Sequence, residues 1–374
     1  MEEIIYLLAL NRILNYDSKR ATALMECAGS ASALFSMDHE GLVSLLGKRY
    51  GFIEELGKES HLKWAEEELV WAQSKGISIL TPSSEEYPHY LLECVDRPLM
   101  LYKTGPADLN TLQMLSIVGT RRSTQYGEKM CVKIIGEMKD MGLSPVIVSG
   151  LAFGIDICAH RAAIANGLAT IAVSACSPDK IYPAMHLRDA RMIAQRGAVI
   201  TEFPRGVRDI KVNFLRRNRI IAGISPATIV IESGERGGAM ITASLAHSYS
   251  REIFALPGRV SDSASMGCNY LISKNIADIV YNTEELVKKL GWDIFTKKSL
   301  SLKEESKNSE KQEINSENSV KEKILVTLRH SSELHIDELA NMTGLSISSV
   351  STILLELEME DKIIRLAGER YAFA

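Results

Sequence analysis

Arginines and glycines, not carboxylate pairs or metal ligands, carry the chemistry this chain advertises. The stretch Gly119-Thr120-Arg121-Arg122-Ser123 joins a glycine, which lets backbone approach a ligand, to two guanidiniums and two hydroxyls. Those types in that order make a natural phosphate site. The stretch is not G-x-G-x-x-G, so the dinucleotide fingerprint is missing. In Ser149-Gly150-Leu151-Ala152-Phe153-Gly154-Ile155-Asp156 the glycines suit a tight anion-cradling turn. Asp156 there can cap a helix that bears His160. With no nucleophile beside it, His160 reads as a buried, hydrogen-bonded histidine. Lys180 and Tyr182, within Pro178–Pro183, offer a phosphate partner and a stacking face. The densest signal is FPRGVRDIKVNFLRRNR over 203–219. Arg205, Arg208, Lys211, Arg216, Arg217 and Arg219 stand there against one acid, Asp209. Segregation that sharp implies an anionic partner. Phe203 and Phe214 lie in the same run, either as core or as rings on which bases stack. Ser233-Gly234-Glu235-Arg236-Gly237-Gly238 is a further candidate phosphate cradle. No G-x-x-x-x-G-K-[ST] run exists, which argues against ATP-driven work.

The elements that must position these residues follow a strand–loop–helix rhythm. Short apolar runs predict strands at Leu115–Val118, Val146–Ser149, Thr170–Ser174, Ala198–Thr201, Thr228–Ile231 and Glu252–Ala255. Helical patterns fall between them at Tyr126–Asp140, Ile157–Asn166 and Ser244–Ser250. Such alternation is the mark of a parallel α/β sheet buried on both faces. Each candidate loop follows a strand, where open α/β sheets bind ligands.

The chain has 374 residues, 46% hydrophobic and 24% charged, with a formal net charge of −4. That length predicts two or three domains. The balance excludes binding of nucleic acid through bulk charge but leaves room for a local basic groove. The six cysteines are scattered without C-x-x-C spacing, so neither zinc site nor disulfide framework is expected. The N-terminus lacks the features of a signal peptide, and no apolar run reaches membrane-spanning length. Residues 1–75 read as all-helical and SAM-like or helix-hairpin-helix-like. Asp17 caps a helix ending at Gly29, Asp38 caps one stopping near Gly47, and a third spans Ile53–Gln73 with Trp64 and Trp71 at helical spacing. The module is either a binding element or a helical cap with no binding role. Residues 76–296 hold the α/β domain, beginning with two short strands around Pro82, Pro88 and Pro98. Residues 297–319, rich in Lys, Glu, Ser and Asn, read as a disordered linker. Residues 320–374 repeat the winged-helix pattern: helices at Val320–Arg329, His335–Thr343 and Ser346–Asp361, a tight turn at Gly344, then two short strands. The last helix carries Glu356, Glu358, Glu360 and Asp361 but no Lys or Arg, so protein contact or a structural role suits it better than duplex recognition.

The ordered set IVGTRRSTQYG, VSGLAFGIDICAHRAAIANGLAT, DKIYP, GAVITEFPRG, NFLRRNRIIAGIS, ESGERGGAMITASLA, ALPGRV and GCNYLI resembles the DprA/Smf family of DNA-processing proteins. With the helical module before and the winged helix after, the resemblance covers nearly the whole chain. It implies an extended Rossmann-like core with a basic pocket for single-stranded DNA. It also implies a cytoplasmic homodimer that protects incoming strands and helps load RecA on them during natural transformation, with single-strand-binding protein a further partner. By that resemblance the pocket residues are Gly119, Arg121, Arg122, Ser149, Gly150, Gly154, Lys180 and the run Arg216, Arg217, Asn218, Arg219. No catalytic residue, metal or cofactor is implied. Thr120, Cys268 and the Gly237-Gly238-Ala239-Met240 run depart from the family's usual residues, and none of these changes removes a positive charge.

Three other functions compete, one of them a pure scaffold for other recombination proteins, which predicts partner binding without DNA affinity. Phosphoribohydrolases of related fold use arginines to hold nucleotide phosphate, but their P-G-G-x-G-T-x-x-E pattern is absent. Glu232 and Glu235 do not stand in its place, and Glu202 reads as an ion-pair partner for the arginines. A duplex-binding regulator acting through the winged helix, with the α/β domain as a nucleotide sensor, is another, and its acidic helix speaks against it.

Overall fold

The computed structural model describes residues 2–46, 52–207 and 211–296. Of the C-terminal segment it describes 321, 324–326, 328, 331, 333–343, 346–360, 362–366 and 368–373. The linker 297–319, the turn at Gly344, the stop near Gly47 and Arg208 therefore lie outside the described residues. The chain divides into two units, Met1–Thr296 and Lys297–Ala374.

The first unit opens with helices α1 (Glu3–Ile13), α2 (Ser18–Ala28), α3 (Ala31–Ser36), α4 (His39–Leu46), α5 (Ile53–Leu56) and α6 (Glu59–Ser74). Their starts follow the capping residues: Asp17 accepts from Arg20 N at 3.1 Å and Asp38 from Gly41 N at 2.8 Å. Leu8, Leu10, Leu34, Ala65 and Ala72 form their core, closed against Met100 and Tyr102 of the following sheet. Arg12 lies over the Trp64 ring at 4.4 Å. The helix predicted over 53–73 is in fact two, interrupted at Gly57-Lys58.

The sheet follows: β1 (Ser78–Leu80), α7 (His89–Leu92), β2 (Leu101–Thr104), β3 (Met114–Val118), α8 (Gln125–Asp140), β4 (Val146–Ser149), α9 (Ile155–Ala165), β5 (Thr170–Val173), α10 (Leu187–Arg196), β6 (Ala198–Thr201), α11 (Lys211–Gly223), β7 (Ala227–Val230), α12 (Gly238–Ser248), β8 (Glu252–Ala255), α13 (Met266–Ser273), β9 (Asp278–Ile279) and α14 (Thr283–Lys289). It has nine strands in the order β1-β2-β6-β5-β4-β3-β7-β8-β9. From β6 to β9 neighbours run parallel, while β2 joins β6, and β1 joins β2, antiparallel. The strand period of two sends alternate residues into two cores. Met114 and Val118 meet α11, α12 and α13, whereas Leu115 and Ile117 meet α8, α9 and α14. Burial on both faces is why these strands read as continuous apolar runs.

Two elements differ from the sequence expectation. The basic stretch 203–219, taken as a loop, becomes helical from Lys211 and continues to Gly223. Its apolar Ile220, Ile221 and Ala222 supply the packing that a charged run does not reveal. The helix predicted at Ser244 starts at Gly238, because Ala239, Ala243 and Ala246 form the buried stripe.

In the second unit the described residues from Lys321 to Leu328 are helical. After them come β10 (Leu334–His335), α15 (Ile336–Thr343), α16 (Ile347–Met359), β11 (Ile363–Leu366) and β12 (Arg370–Phe373). The strands form a three-stranded antiparallel sheet in the order β10-β12-β11. Ile324, Leu339, Val350, Leu354 and Leu357 fill its core, giving a winged helix with the unpredicted β10 as its third strand. On α16, Glu356 pairs with Lys321, and just after it Glu360 pairs with Lys362.

Candidate nucleic-acid interface

From β3 the chain winds outward through β4, β5 and β6 on one side, and β7, β8 and β9 lie on the other. The direction reverses between β3 and β7, and at such a switch point two loops diverge and leave a crevice at the strands' carboxyl ends. A cleft of about 230 Å³ sits there. It is walled by the first loop (Gly119, Thr120, Arg121), the start of α9 (Asp156), one face of α11 (Phe214, Arg217, Asn218) and the glycines Gly234, Gly237 and Gly238 at the N-terminus of α12. Unspent N–H groups at that helix start add donors suited to an anion.

Arg217 is the base of the cleft. It is only 3% exposed, with Asp156 Oδ2 3.8 Å from Nη1. Its Nε and Nη1 meet no hydrogen-bond acceptor among the described residues. Burial pulls the Arg217 guanidinium below its ordinary pKa and pushes the Asp156 carboxyl above its own, each opposed by the other's charge. Gly150 makes the arrangement possible, since a Cβ there would collide with the Arg217 guanidinium and the Asp156 carboxylate. Gly154 has φ +74°, and a Cβ there would strike the backbone of Thr120 and Arg121. That close approach lets Ile155 N donate to Thr120 O at 3.2 Å, locking the first two loops together.

The rim is aromatic and cationic. The Arg121 guanidinium lies over the Phe214 ring at 5.1 Å, and Tyr182 meets Phe214 edge-on at 5.4 Å. Tyr182 is 51% exposed, and Arg122 is exposed beside it in sequence to Arg121. Phe203, by contrast, is core.

Several residues of the implied pocket lie elsewhere. Ser149 is fully buried in β4, its hydroxyl already donating to Ile117 O at 2.6 Å, so it does not face the cleft. Lys180 lines a separate depression beside α10. A helix sends successive side chains in different directions, so Arg216 and Arg219 leave the cleft. Arg216 donates to Asn15 O at 3.1 Å, and Arg219 binds Glu202 and Asp96 O. Arg205 pairs with buried Glu68 at 3.3 Å. Much of the charge segregation read in 203–219 is thus spent inside the fold. Glu202 is the ion-pair partner its sequence context implied. Glu232 instead holds Thr124, the residue that caps α8, accepting from Thr124 N at 2.9 Å and from the Thr124 hydroxyl. His160 is fully buried with Nδ1 2.7 Å from Thr170 Oγ1, and burial, reinforced by Arg217, holds its pKa down to about 3. The pairing of Asp156 with Arg217 had no signal beyond the types themselves, because only the fold brings α9 and α11 together.

Residues 78–291 match the family described as DNA recombination-mediator protein A, and residues 308–369 match the DprA winged helix domain. Protein Smf of Escherichia coli K12 is 32% identical over 307 residues, covering 82% of this chain and 80% of that protein. DNA processing protein DprA of Streptococcus pneumoniae R6 is 39% identical over 188 residues, 50% of this chain and 66% of that protein. Among solved structures, DNA processing protein A from Streptococcus pneumoniae superposes with TM-score 0.65 at 29% identity, covering 77% of this chain and 98% of that one. DNA processing protein A from Helicobacter pylori, studied for its single-stranded-DNA-binding mode, superposes with TM-score 0.52 at 33% identity, covering 58% and 96%. With the family match spanning more than half the chain and the winged-helix match following it, this protein belongs to the DprA/Smf family of DNA recombination mediators.

Proposed function

We propose that the switch-point cleft and its rim bind single-stranded DNA through its backbone. In this reading the protein shields such strands and helps load RecA on them, and performs no catalysis. The observation that carries the reading is Arg217, a buried guanidinium that lines an open cleft with two donors unpaired among the described residues, at the point where this sheet architecture binds phosphates. A phosphate there would complete its charge-assisted hydrogen bonds. Arg121, Phe214 and Tyr182 offer the next bases a cation and two ring faces, a sequence-tolerant surface. Three carboxylates near the site are already engaged: Asp156 beside Arg217, Glu202 on Arg219 and Glu232 on Thr124 at the α8 start, while Glu235 between the α12 glycines is exposed. Those three are therefore poor candidates for a general base. The binding to single strands named for the Helicobacter pylori protein supports the same reading.

The test is a titration of fluorescent oligo-dT and a matched duplex at several salt concentrations, repeated with Arg121→Ala/Arg122→Ala and Lys180→Ala. Tight single-strand binding with a steep salt slope, weakened in the arginine double variant while the fold holds, is expected. Duplex binding that is equal or better and unaffected by those changes would overturn it.

A further inference from the structure

The six cysteines are scattered along the sequence and all are free thiols, yet the fold brings two of them together. Helices α8 and α9 share one core on the sheet, where α9 sets Ala159, Ala162 and Ala163 among Ile134, Ile135 and Met138 of α8. Side chains that small let two helices approach closely. Cys131 lies on the buried stripe of α8 and is 0% exposed. Cys158, in the first turn of α9, packs against the same core but is only half-buried. A helical side chain leans toward the N-terminus of its helix, so the Cys131 thiol lies over the turn that begins at Glu128. Cys158 Sγ is 3.7 Å from the Glu128 carbonyl oxygen in that same turn. The two thiols meet there and are hydrogen-bonded to each other. Donation from Cys131 draws the Cys158 thiol below its ordinary pKa, against its partial burial, and the same bond, with burial, raises Cys131 above its own. The better nucleophile is thus on the reachable side, with a second sulfur sealed behind it.

We propose that Cys131 and Cys158 are an oxidisable dithiol, which hydrogen peroxide converts to a disulfide joining α8 to α9, and that this bond weakens the cleft's hold on single-stranded DNA. The modification stands on the geometry of the pair; its effect on binding rests on the single-strand-binding reading. The Cys158 thiolate attacks one peroxide oxygen, the O–O bond breaks, and the departing hydroxide takes up a proton and leaves as water. Cys158 is then a sulfenic acid, its sulfur oxidised by two electrons. The Cys131 sulfur attacks it, the S–O bond breaks, and the hydroxide leaves with the Cys131 proton as a second water. Two thiols and one peroxide have become one disulfide and two waters. The bond reaches the cleft through α9. The sulfurs must close from hydrogen-bonding separation to about 2.05 Å, which draws the first turn of α9 toward α8. That turn carries Asp156, the partner of Arg217, and Ile155, whose N–H holds Thr120 O at 3.2 Å. Moving it shifts the carboxylate beside Arg217 and the first loop together.

The experiment treats the full chain with one equivalent of hydrogen peroxide, digests it without reductant and maps the peptides by mass spectrometry. Oligo-dT anisotropy is measured before oxidation, after it, and after dithiothreitol. A peptide bridged through Cys131 and Cys158 is expected as the main product. The bridged chain is expected to bind oligo-dT several-fold more weakly, with full recovery in dithiothreitol. Cys158→Ser, at the half-buried position, is expected to form no bridge and to keep its affinity through peroxide treatment. Cys131→Ala removes the resolving sulfur and is expected to leave Cys158 as a sulfenic acid that dimedone labels. Absence of the bridged peptide, or oxidation of the exposed Cys27 in place of the pair, overturns the dithiol. A bridge that forms in full with affinity unchanged overturns its link to the cleft. If the reduced chain fails to bind oligo-dT at low salt, the single-strand-binding reading falls and that link with it, while the peptide map still decides the dithiol.

Discussion

At the scale of single residues, the cleft is governed by one guanidinium and one missing methyl. Arg217→Lys keeps a positive charge but loses the planar fork, so oligo-dT affinity is expected to fall at least tenfold with little change in the unfolding midpoint. Gly150→Ala places a Cβ where the Arg217 guanidinium lies, and should weaken oligo-dT binding comparably although it adds no charge and touches no nucleotide. Fluorescence anisotropy at fixed salt measures both. His160 gives a pH signature. Its native pKa is about 3, against about 6.5 for an unfolded histidine. Between those values the unfolded chain binds the extra proton. Its contribution to stability is therefore fully present above pH 6.5 and is lost as pH falls toward 3, by roughly 1.4 kcal/mol per pH unit at most. Urea midpoints compared between wild type and His160→Gln from pH 7 to pH 4 should show the wild type losing the more over that range. Parallel curves would contradict the assignment.

At the scale of elements, α11 divides its arginines by direction. Arg217 and Asn218 face the cleft, while Arg219 turns to Glu202 and Asp96 beneath the connecting segment. Burial raises the Glu202 carboxyl above its ordinary pKa against the pull of Arg219. Removing one partner of a buried pair is costly, on the order of 3–5 kcal/mol, because the other is left charged and unpaired. Arg219→Ala is therefore expected to lower the thermal midpoint clearly, while the folded fraction binds oligo-dT within about threefold of wild type by anisotropy. The opposite pattern, stable protein with lost binding, would return Arg219 to the pocket. The direction of each side chain follows from the apolar stripe Ile220, Ile221 and Ala222, which fixes the rotation of α11 on the sheet.

At the scale of the whole molecule, the two units carry different charge logic. The cleft and its rim belong to Met1–Thr296. In the second unit α16 presents acids, and Leu355 and Met359 on it are exposed. A chain ending at Thr296 is expected to keep the salt slope of single-strand binding, since that slope counts the cations meeting phosphate. A slope reduced by two or more in the shortened chain would place phosphate contacts in the winged helix.

The sequence by itself determined the layered α/β class, because strands buried on both faces must be short apolar runs and their helices must recur between them. Val146–Ser149, Ala198–Thr201 and Glu252–Ala255 coincide with their predicted bounds for that reason. It also marked loops that the structure gathers around one cleft, since glycine after a strand permits the close backbone approaches seen at Gly150 and Gly154. The tertiary structure alone decided which of those residues act together. Ser149 has the right type but is spent on Ile117 O, and Arg219 is spent on Glu202. Among the described residues, Arg217 is left with unpaired donors because α9, α11 and the β3–β7 reversal converge on it. A linear pattern records residue type and period. Whether a buried polar group finds its partner depends on which distant elements the fold brings within hydrogen-bonding reach.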